Sequence, residues 1–427
     1  MTTRRLSRIL VALAANVVLI SSMAVGNAVA TSSTSETTGV TPSSIRVGQV
    51  DTLSGPVPGL FAGAQYGTLA YFKMVNSQGG VNGRKITLDV KDDAFSAANY
   101  ATETQQLTTQ DFALVGGFSL FEDSGVAAIN AAKIPDVTLA TSEQRSLDQY
   151  NYSPNPVIWG GAQLGSLKYY KQKLGSAIQH VGTLVGGVAA AEQESNAVFN
   201  AMKSLGYKIV YQRTNNPLTT NFTDDVLKMK QAGVQIVYIV GEEVTAAASL
   251  AKDMQQQGLQ PKLFATNGIS YDSSFIPEAG SAANGSAVDM DTALYLGEDA
   301  KAVPAVKTFD TWMHKVNPKQ PIDVYAVYGW TCAQLFVQAL KNAGTNPTRA
   351  SLFSALDKIT LFNASGLQAT ANPAQKRPPN CWLIAAVKNL AWQRASPTPA
   401  SGFVCNPGGY YYPQGYKPFV RQAPPSG

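Results

Sequence analysis

Short apolar runs alternate along this chain with longer stretches whose apolar residues recur at helical spacing. Residues 45–93 show the pattern most compactly: an apolar strand IRVGQVD, a Gly/Pro loop from Thr52 to Gly59, an amphipathic helix, a glycine-rich turn and a second strand. That order predicts a right-handed βαβ unit. In such a unit the carboxyl end of the strand and the first turn of the helix face one crevice, where unpaired backbone N–H groups favour a polar or anionic small molecule. Beyond it the periodicity predicts helix 97–110, strand 112–116, helix 121–132 and strand 136–140. A second series follows, with helices over 164–174, 191–205, 222–232 and 244–257 and strands over 181–185, 207–211, 235–240 and 262–265. Alternation of this kind predicts an α/β fold with parallel sheets covered by helices on both faces. Between the two series lies PNPVIW (154–159), whose prolines suit a strand crossing between two bodies better than a central ladder. The chain then returns through SAVDMDTALYL (286–296), helices near 302–316, 323–343 and 348–358, and a strand-rich end.

The amino terminus changes the picture by adding an address. Arg4, Arg5 and Arg8 precede an apolar run from Ile9 to about Val25, and Ala28-Val29-Ala30 supplies small residues for cleavage, so residues 1–30 are expected to be a signal peptide. A retained membrane anchor is the alternative, but Asn16, Ser21 and Ser22 interrupt the run and it is short for a bilayer. No cysteine follows the run, so a lipoprotein is not expected. The localisation that follows is secretion across the cytoplasmic membrane, with no stable membrane insertion after cleavage. Residues 31–43 are polar and helix-poor and read as a flexible spacer.

Removing three leader arginines from 33 Lys+Arg leaves 30 against 28 Asp+Glu, a balance that gives no case for nucleic acid. Just under 400 remaining residues exceed what one core usually serves, which predicts two lobes. The two histidines, His180 and His314, have no second histidine or cysteine at ligand spacing, so no metal and no cofactor are expected. Cys332 lies among Tyr325, Tyr328, Leu335, Phe336 and Leu340 at helical spacing and reads as a small apolar core residue. Cys381 and Cys405 flank a strand-like segment in a chain expected to fold outside the cytoplasm, where a disulfide between them is the simplest reading; two buried free thiols are the alternative.

IRVG at 45–48, LSGP at 53–56, GGVNGRKI at 79–86, DD at 92–93 and F-x-x-D-V-L-K-M-K-Q-A-G from Phe222 together resemble the type I periplasmic solute-binding proteins of ABC transporters, nearest the leucine/isoleucine/valine branch. The resemblance covers residues 44 to about 360. It implies two Rossmann-like lobes joined by three crossing strands, near 157–160, 287–292 and 360–367, that close on a solute. Lobe 1 would comprise 44–159 and 292–360, lobe 2 160–291 and 361–412, and 413–427 a disordered tail. For Tyr410 to Tyr412, packing on a lobe stands as an equal reading.

The resemblance also implies a ligand site. Its lobe-1 donors fall on Ser119, Ala140, Thr141 and Ser142, where hydroxyls and helix-start amides would receive a carboxylate or carbonyl. Ser119-Leu-Phe-Glu122 and Thr141-Ser-Glu-Gln144 read equally as capping boxes. In lobe 2 the family's aromatic residue before Gly is replaced by GGVAAAE (186–192), and its ammonium-binding acid by Thr266-Asn267-Gly268. Asn267 is a candidate ligand residue that can donate or accept a hydrogen bond but cannot balance a buried cation, so Glu242 and its neighbour Glu243 are candidates for that role, their alternative being solvated charges at a helix start. Leu60, Phe61 and Tyr66 lie where they could reach the cleft, but helical spacing from Phe61 through Leu69 and Phe72 reads first as core, so only the loop before them is a candidate, and Asp92 and Asp93 read as caps of the helix from 97. The implied function is capture of a small polar or carboxylated molecule, an amino acid, amide or similar, by a monomer that delivers it to ABC permease subunits. A ligand sensor of the same fold signalling to a partner is the alternative. A secreted α/β hydrolase is disfavoured, because no nucleophile elbow, phosphate loop or dinucleotide fingerprint is present.

Overall fold

The structure, a computed structural model, describes residues 36–56, 59–216, 218–398, 402–405 and 409–422. The leader and the first residues of the expected spacer lie outside the described residues.

Lobe 1 is built from β1 (Ser44–Asp51), α1 (Ala62–Ser77), β2 (Lys85–Asp92), α2 (Ala97–Gln110), β3 (Leu114–Val115), α3 (Val126–Ala132), β4 (Asp136–Val137) and α4 (Glu143–Ser146). Its strands lie in the order β2-β1-β3-β4 and pair in parallel, as two crossovers through α1 and α2 require. β1 sits inside this sheet, and its last four residues are all buried. Lobe 2 contains β5 (Ala162–Gln163), α5 (Gly165–Leu174), β6 (Val181–Gly186), α6 (Ala189–Ser204), β7 (Ile209–Asn215), α7 (Thr223–Gln231), β8 (Ile236–Val240), α8 (Val244–Gln256), β9 (Leu263–Thr266), α9 (Phe275–Ala279) and β10 (Ser286–Met290). The chain returns through α10 (Pro304–Val316), α11 (Val324–Asn342) and α12 (Arg349–Leu356), which cover lobe 1, and ends in β11 (Cys381–Lys388), β12 (Ala391–Ser396), β13 (Val404–Cys405) and β14 (Tyr410–Tyr411).

The second sheet runs β12-β11-β10-β9-β8-β6-β7. Its interior is parallel, but β11 joins β10 and β12 in antiparallel pairs, so this sheet is mixed rather than wholly parallel. A disulfide joins Cys381 to Cys405 where β13 pairs with β11. Cys332 is a buried free thiol on α11.

Helix α11 lies unusually close to α1. A Cβ at Gly67 would fall 2.0 Å from the carbonyl oxygen of Ala326, and one at Gly329 equally near that of Ala64. Two facing glycines therefore let the backbones approach, and Thr68 Oγ1 donates across the seam to Gly329 O at 3.2 Å. The start of α11 is fixed by Asp323, whose carboxylate accepts from Ala326 N at 2.7 Å.

Three chain passages meet between the lobes. Asn155 donates to Asp291 at 2.8 Å, Gln368 donates to Pro154 O at 2.7 Å, and Ala293 N and Ala369 N bond Leu367 O and Asp291 O at 2.8 and 2.6 Å. The third passage thus runs near 367–369, slightly later than the sequence suggests. The stretch before β11 rests on lobe 1: Lys376 Nζ donates to Asn151 O at 2.9 Å.

Both ends of the described chain depart from the sequence reading. Residues 36–43 are tied down rather than free, because Glu36 accepts from Arg349 N through its carbonyl and from Ala350 N through its carboxylate, each at 2.8 Å. Residues 413–422 are held as well. Tyr410 and Tyr411 pair with Gln163 and Ala162 in lobe 2, and the chain then reaches lobe 1, where Arg421 stacks 3.6 Å above the Tyr152 ring and pairs with Asp357 at 3.2 Å.

Candidate functional site

The strand ends of both lobes face a cleft, and the loop after β1 forms its first wall. Asp92 Oδ1 gathers the amides of Leu53, Ser54 and Ala94 at 2.9, 3.2 and 2.8 Å. Its carboxyl lies below the ordinary range, since these bonds outweigh the burial that opposes ionisation. Asp93 accepts from Thr52 Oγ1 at 3.0 Å, from Phe95 N at 2.7 Å and from the Ser119 hydroxyl. The paired aspartates therefore lash the β1 loop to the β2 end rather than capping α2. Ser96 caps α2 instead, accepting from Asn99 N.

Ser119 is fully buried, its hydroxyl spent on Asp93 and on Phe121 N, and it lines no part of the cleft. What faces the cleft there is aromatic. Phe118, Phe61 and Tyr325 pack mutually with centroids 4.8–4.9 Å apart, and Phe95 meets Phe121 edge-on at 5.1 Å. Leu60 and Phe61 reach the cleft; Tyr66 does not line it.

Neither proposed capping box forms. Glu122, buried beneath the loop, reaches forward: its Oε1 accepts from Thr141 N at 2.5 Å and Ser142 N at 2.7 Å. Burial pushes the Glu122 carboxyl up, and Arg145, whose guanidinium also grips Asp136 at 2.8 Å through two nitrogens, pulls it back. Ser142 is the cap of α4, its Oγ accepting from Arg145 N at 3.3 Å, and it lines no chamber. Thr141 borders the whole cleft and Ala140 its hinge side.

The lobe-2 wall is small and apolar at the stretch where the resemblance implies an aromatic residue. Gly186 is pressed against Gly241, where a Cβ would lie 2.1 Å from the carbonyl oxygen, and Gly187, Val188, Ala190 and Ala191 face the space beyond. Glu242, 1% exposed, turns away from the cleft and accepts from Asn215 Nδ2 at 3.2 Å. Its neighbour Glu243 lines the cleft instead. Burial pushes both carboxyls up to about 7. Asn267 borders the cleft, but its amide donates to Glu242 O at 3.0 Å and its oxygen accepts from Ser270 at 3.3 Å.

The cleft consists of two adjoining chambers. The outer one, about 460 Å³, is walled by Phe61, Phe95, Phe118, Leu120, Leu139, Val188, Leu218 and Ile269. The inner one, about 400 Å³, lies against the hinge and is bordered by Asn155, Ser166, Asp289, Asp291, Thr292, Tyr328 and Tyr410. Glu194 on α6 borders both, and its side chain is exposed to the open space of the cleft. Surrounding protein raises its carboxyl somewhat, the more so with Asp289 and Asp291 close by, although water in the open cleft screens the effect. No lysine or arginine is among the described residues that line either chamber.

Sequence reasoning named Phe61 but missed Phe95 and Phe118, Glu194 and the two hinge aspartates. Asp289 and Asp291 did carry a signal: acids two residues apart in an otherwise apolar strand share one face. Glu194 carried none, because an acid in an alanine-rich helix reads as solvated.

Two α/β lobes, three hinge passages and a chamber between them define a binding protein that encloses its ligand. Residues 44–391 match the periplasmic binding protein family, and the chain belongs to it. It is 25% identical to an amino acid binding protein of Pseudomonas aeruginosa over 318 residues, covering 70% of this chain and 80% of that one. In fold it is similar to a branched-chain amino acid ABC transporter protein of Thermus thermophilus with bound valine, at TM-score 0.72 and 16% identity, covering 85% of this chain and 97% of the other. A fatty acid ABC transporter substrate-binding protein of Thermomonospora curvata matches at TM-score 0.71 and 19% identity, covering 84% and 92%. The family is one of extracytoplasmic substrate-binding proteins, not enzymes. Among the described residues no helix is long and apolar enough to cross a membrane, and no group of side chains is arranged to hold a metal.

Proposed function

We propose that this protein captures one small molecule with a predominantly apolar body between its lobes and presents the closed form to an ABC permease. The observation that carries the reading is the outer chamber: aromatic and aliphatic side chains supplied by both lobes face one another across a space of ligand size. A compact polar solute would leave that surface wet, whereas an apolar body removes it from water on closure. A ligand that favours the closed state shifts the open–closed balance toward it, and a permease needs only to recognise the closed shape. Membership of the family, and the transporter roles named for the Thermus and Thermomonospora proteins, support delivery to a permease.

A thermal-shift panel graded by apolar area tests this, from urea and glycine through leucine to phenyl- and hexyl-bearing solutes. The larger apolar bodies are expected to raise the melting temperature. A response confined to urea, glycine or other compact polar solutes would overturn the reading.

A further inference from the structure

The positions that would receive a ligand carboxylate are already filled by the protein. Glu122 occupies the amides of Thr141 and Ser142, and Asp93 occupies the Ser119 hydroxyl. No lysine or arginine among the described lining residues takes their place. The hinge end of the cleft has the opposite character. The exposed Glu194 carboxylate has no hydrogen-bond partner among the described residues, Asp289 has Ser166 as its side-chain donor at 2.7 Å, and Asp291 has Asn155 at 2.8 Å. Among the described residues no basic side chain offsets the charge of any of the three.

A second, independent feature marks the same chamber. Thr292 lines it and is 4% exposed, and its hydroxyl, closed off within the wall, has no hydrogen-bond partner among the described residues, a cost in a folded protein. Tyr328 and Tyr410 border the chamber too, and aromatic faces attract cations.

We infer that the solute carries a cationic nitrogen, an amine or ammonium group on its apolar body, received at the hinge end by Glu194, Asp289 and Asp291. The inference rests on the proposal that the interlobe cleft is the ligand site, and it adds the polarity of the ligand's head. The apolar body lies along the outer chamber. An ammonium donates to the carboxylates, and the carboxylates, uncompensated in the free protein, gain the charge they lack.

The test is calorimetric titration at pH 7.5 with three probes of one shape: 2-phenylethylamine, 2-phenylethanol and 3-phenylpropionate. The amine is expected to bind about tenfold or more tighter than the alcohol, as a charge-assisted contact allows, and the carboxylate more weakly than either. Glu194→Gln is expected to cut amine affinity about tenfold while changing alcohol affinity less than twofold. Asp291→Asn, checked for an unchanged melting temperature, is expected to act the same way. Binding of the alcohol or carboxylate as tightly as the amine would overturn the inference and leave the apolar cleft standing. Silence from all three, together with no apolar response in the thermal panel, would remove both.

Discussion

Glu122 holds the backbone N–H of Thr141 at 2.5 Å from within the protein, so a carboxylate of the chain itself sits under the loop where the family resemblance places a ligand's. The same carboxyl stands 3.8 Å from Arg145. Glu122→Ala would orphan two amides and remove one partner of a buried guanidinium. A loss of about 3 kcal/mol in urea unfolding is expected, with Glu122→Gln nearer 1–2 because one acceptor oxygen survives. A change within about 0.5 kcal/mol for the alanine variant would show that Glu122 does not organise the loop.

Arg421 is the clasp of a terminal segment that starts in lobe 2, at the β14–β5 pair, and ends on lobe 1. Besides Tyr152 and Asp357 it bonds the carbonyls of Gln149, Ala374 and Asn151. Arg421→Ala is expected to cost about 2 kcal/mol and to raise hydrogen exchange in residues 413–422. Unchanged exchange there would show that the segment is held without it.

The disulfide encloses a sequence separation of 24 residues. Its removal by Cys381→Ser with Cys405→Ser should lower stability by about 3 kcal/mol in the chain-entropy account. The loss should fall on the end of the second sheet, leaving the lobe-1 core as protected from exchange as before.

Several carboxyls titrate far above their ordinary range because they are enclosed: Asp51 at about 8, and Glu242, Glu243 and Asp323 at about 7. Below about pH 4 these groups are protonated in both folded and unfolded chains. As pH rises from there toward 8 the unfolded chain gives up protons that the folded chain still holds, so the folded state loses stability. The melting temperature is therefore expected to fall by several degrees between pH 5.5 and pH 8. Asp92 and Asp136, whose carboxyls are lowered, act in the opposite sense only on stronger acidification. A melting temperature that rises over this range would contradict the burial assigned to these groups.

The scaffold was legible because its signals are local and repetitive. Helix 97–110 forms as its spacing predicts, and the buried run IVYIV forms β8. The shortened ladders β3 and β4 were less legible, since only contact with a neighbouring strand decides how much of an apolar run pairs. The site resisted for a different reason. Ser119 and Ser142 have the residue types of ligand donors, but whether a hydroxyl faces a cleft or an internal aspartate depends on partners distant in sequence, here Asp93 for Ser119. Glu242 and Glu243 differ by one residue and face opposite ways, which only the turn after β8 determines. Residues 413–422 looked unstructured because the partners of Arg421, among them Tyr152 and Asp357, lie far away in sequence.

Titration calorimetry of the bound solute between 15 and 35 °C tests the central claim most directly, because the heat-capacity change reports apolar area removed from water. Enclosure of an apolar body in the outer chamber predicts a negative value, on the order of −0.1 kcal/mol/K for a few hundred Å² buried. A value near zero or positive, for a solute that binds in the cleft, would contradict the account.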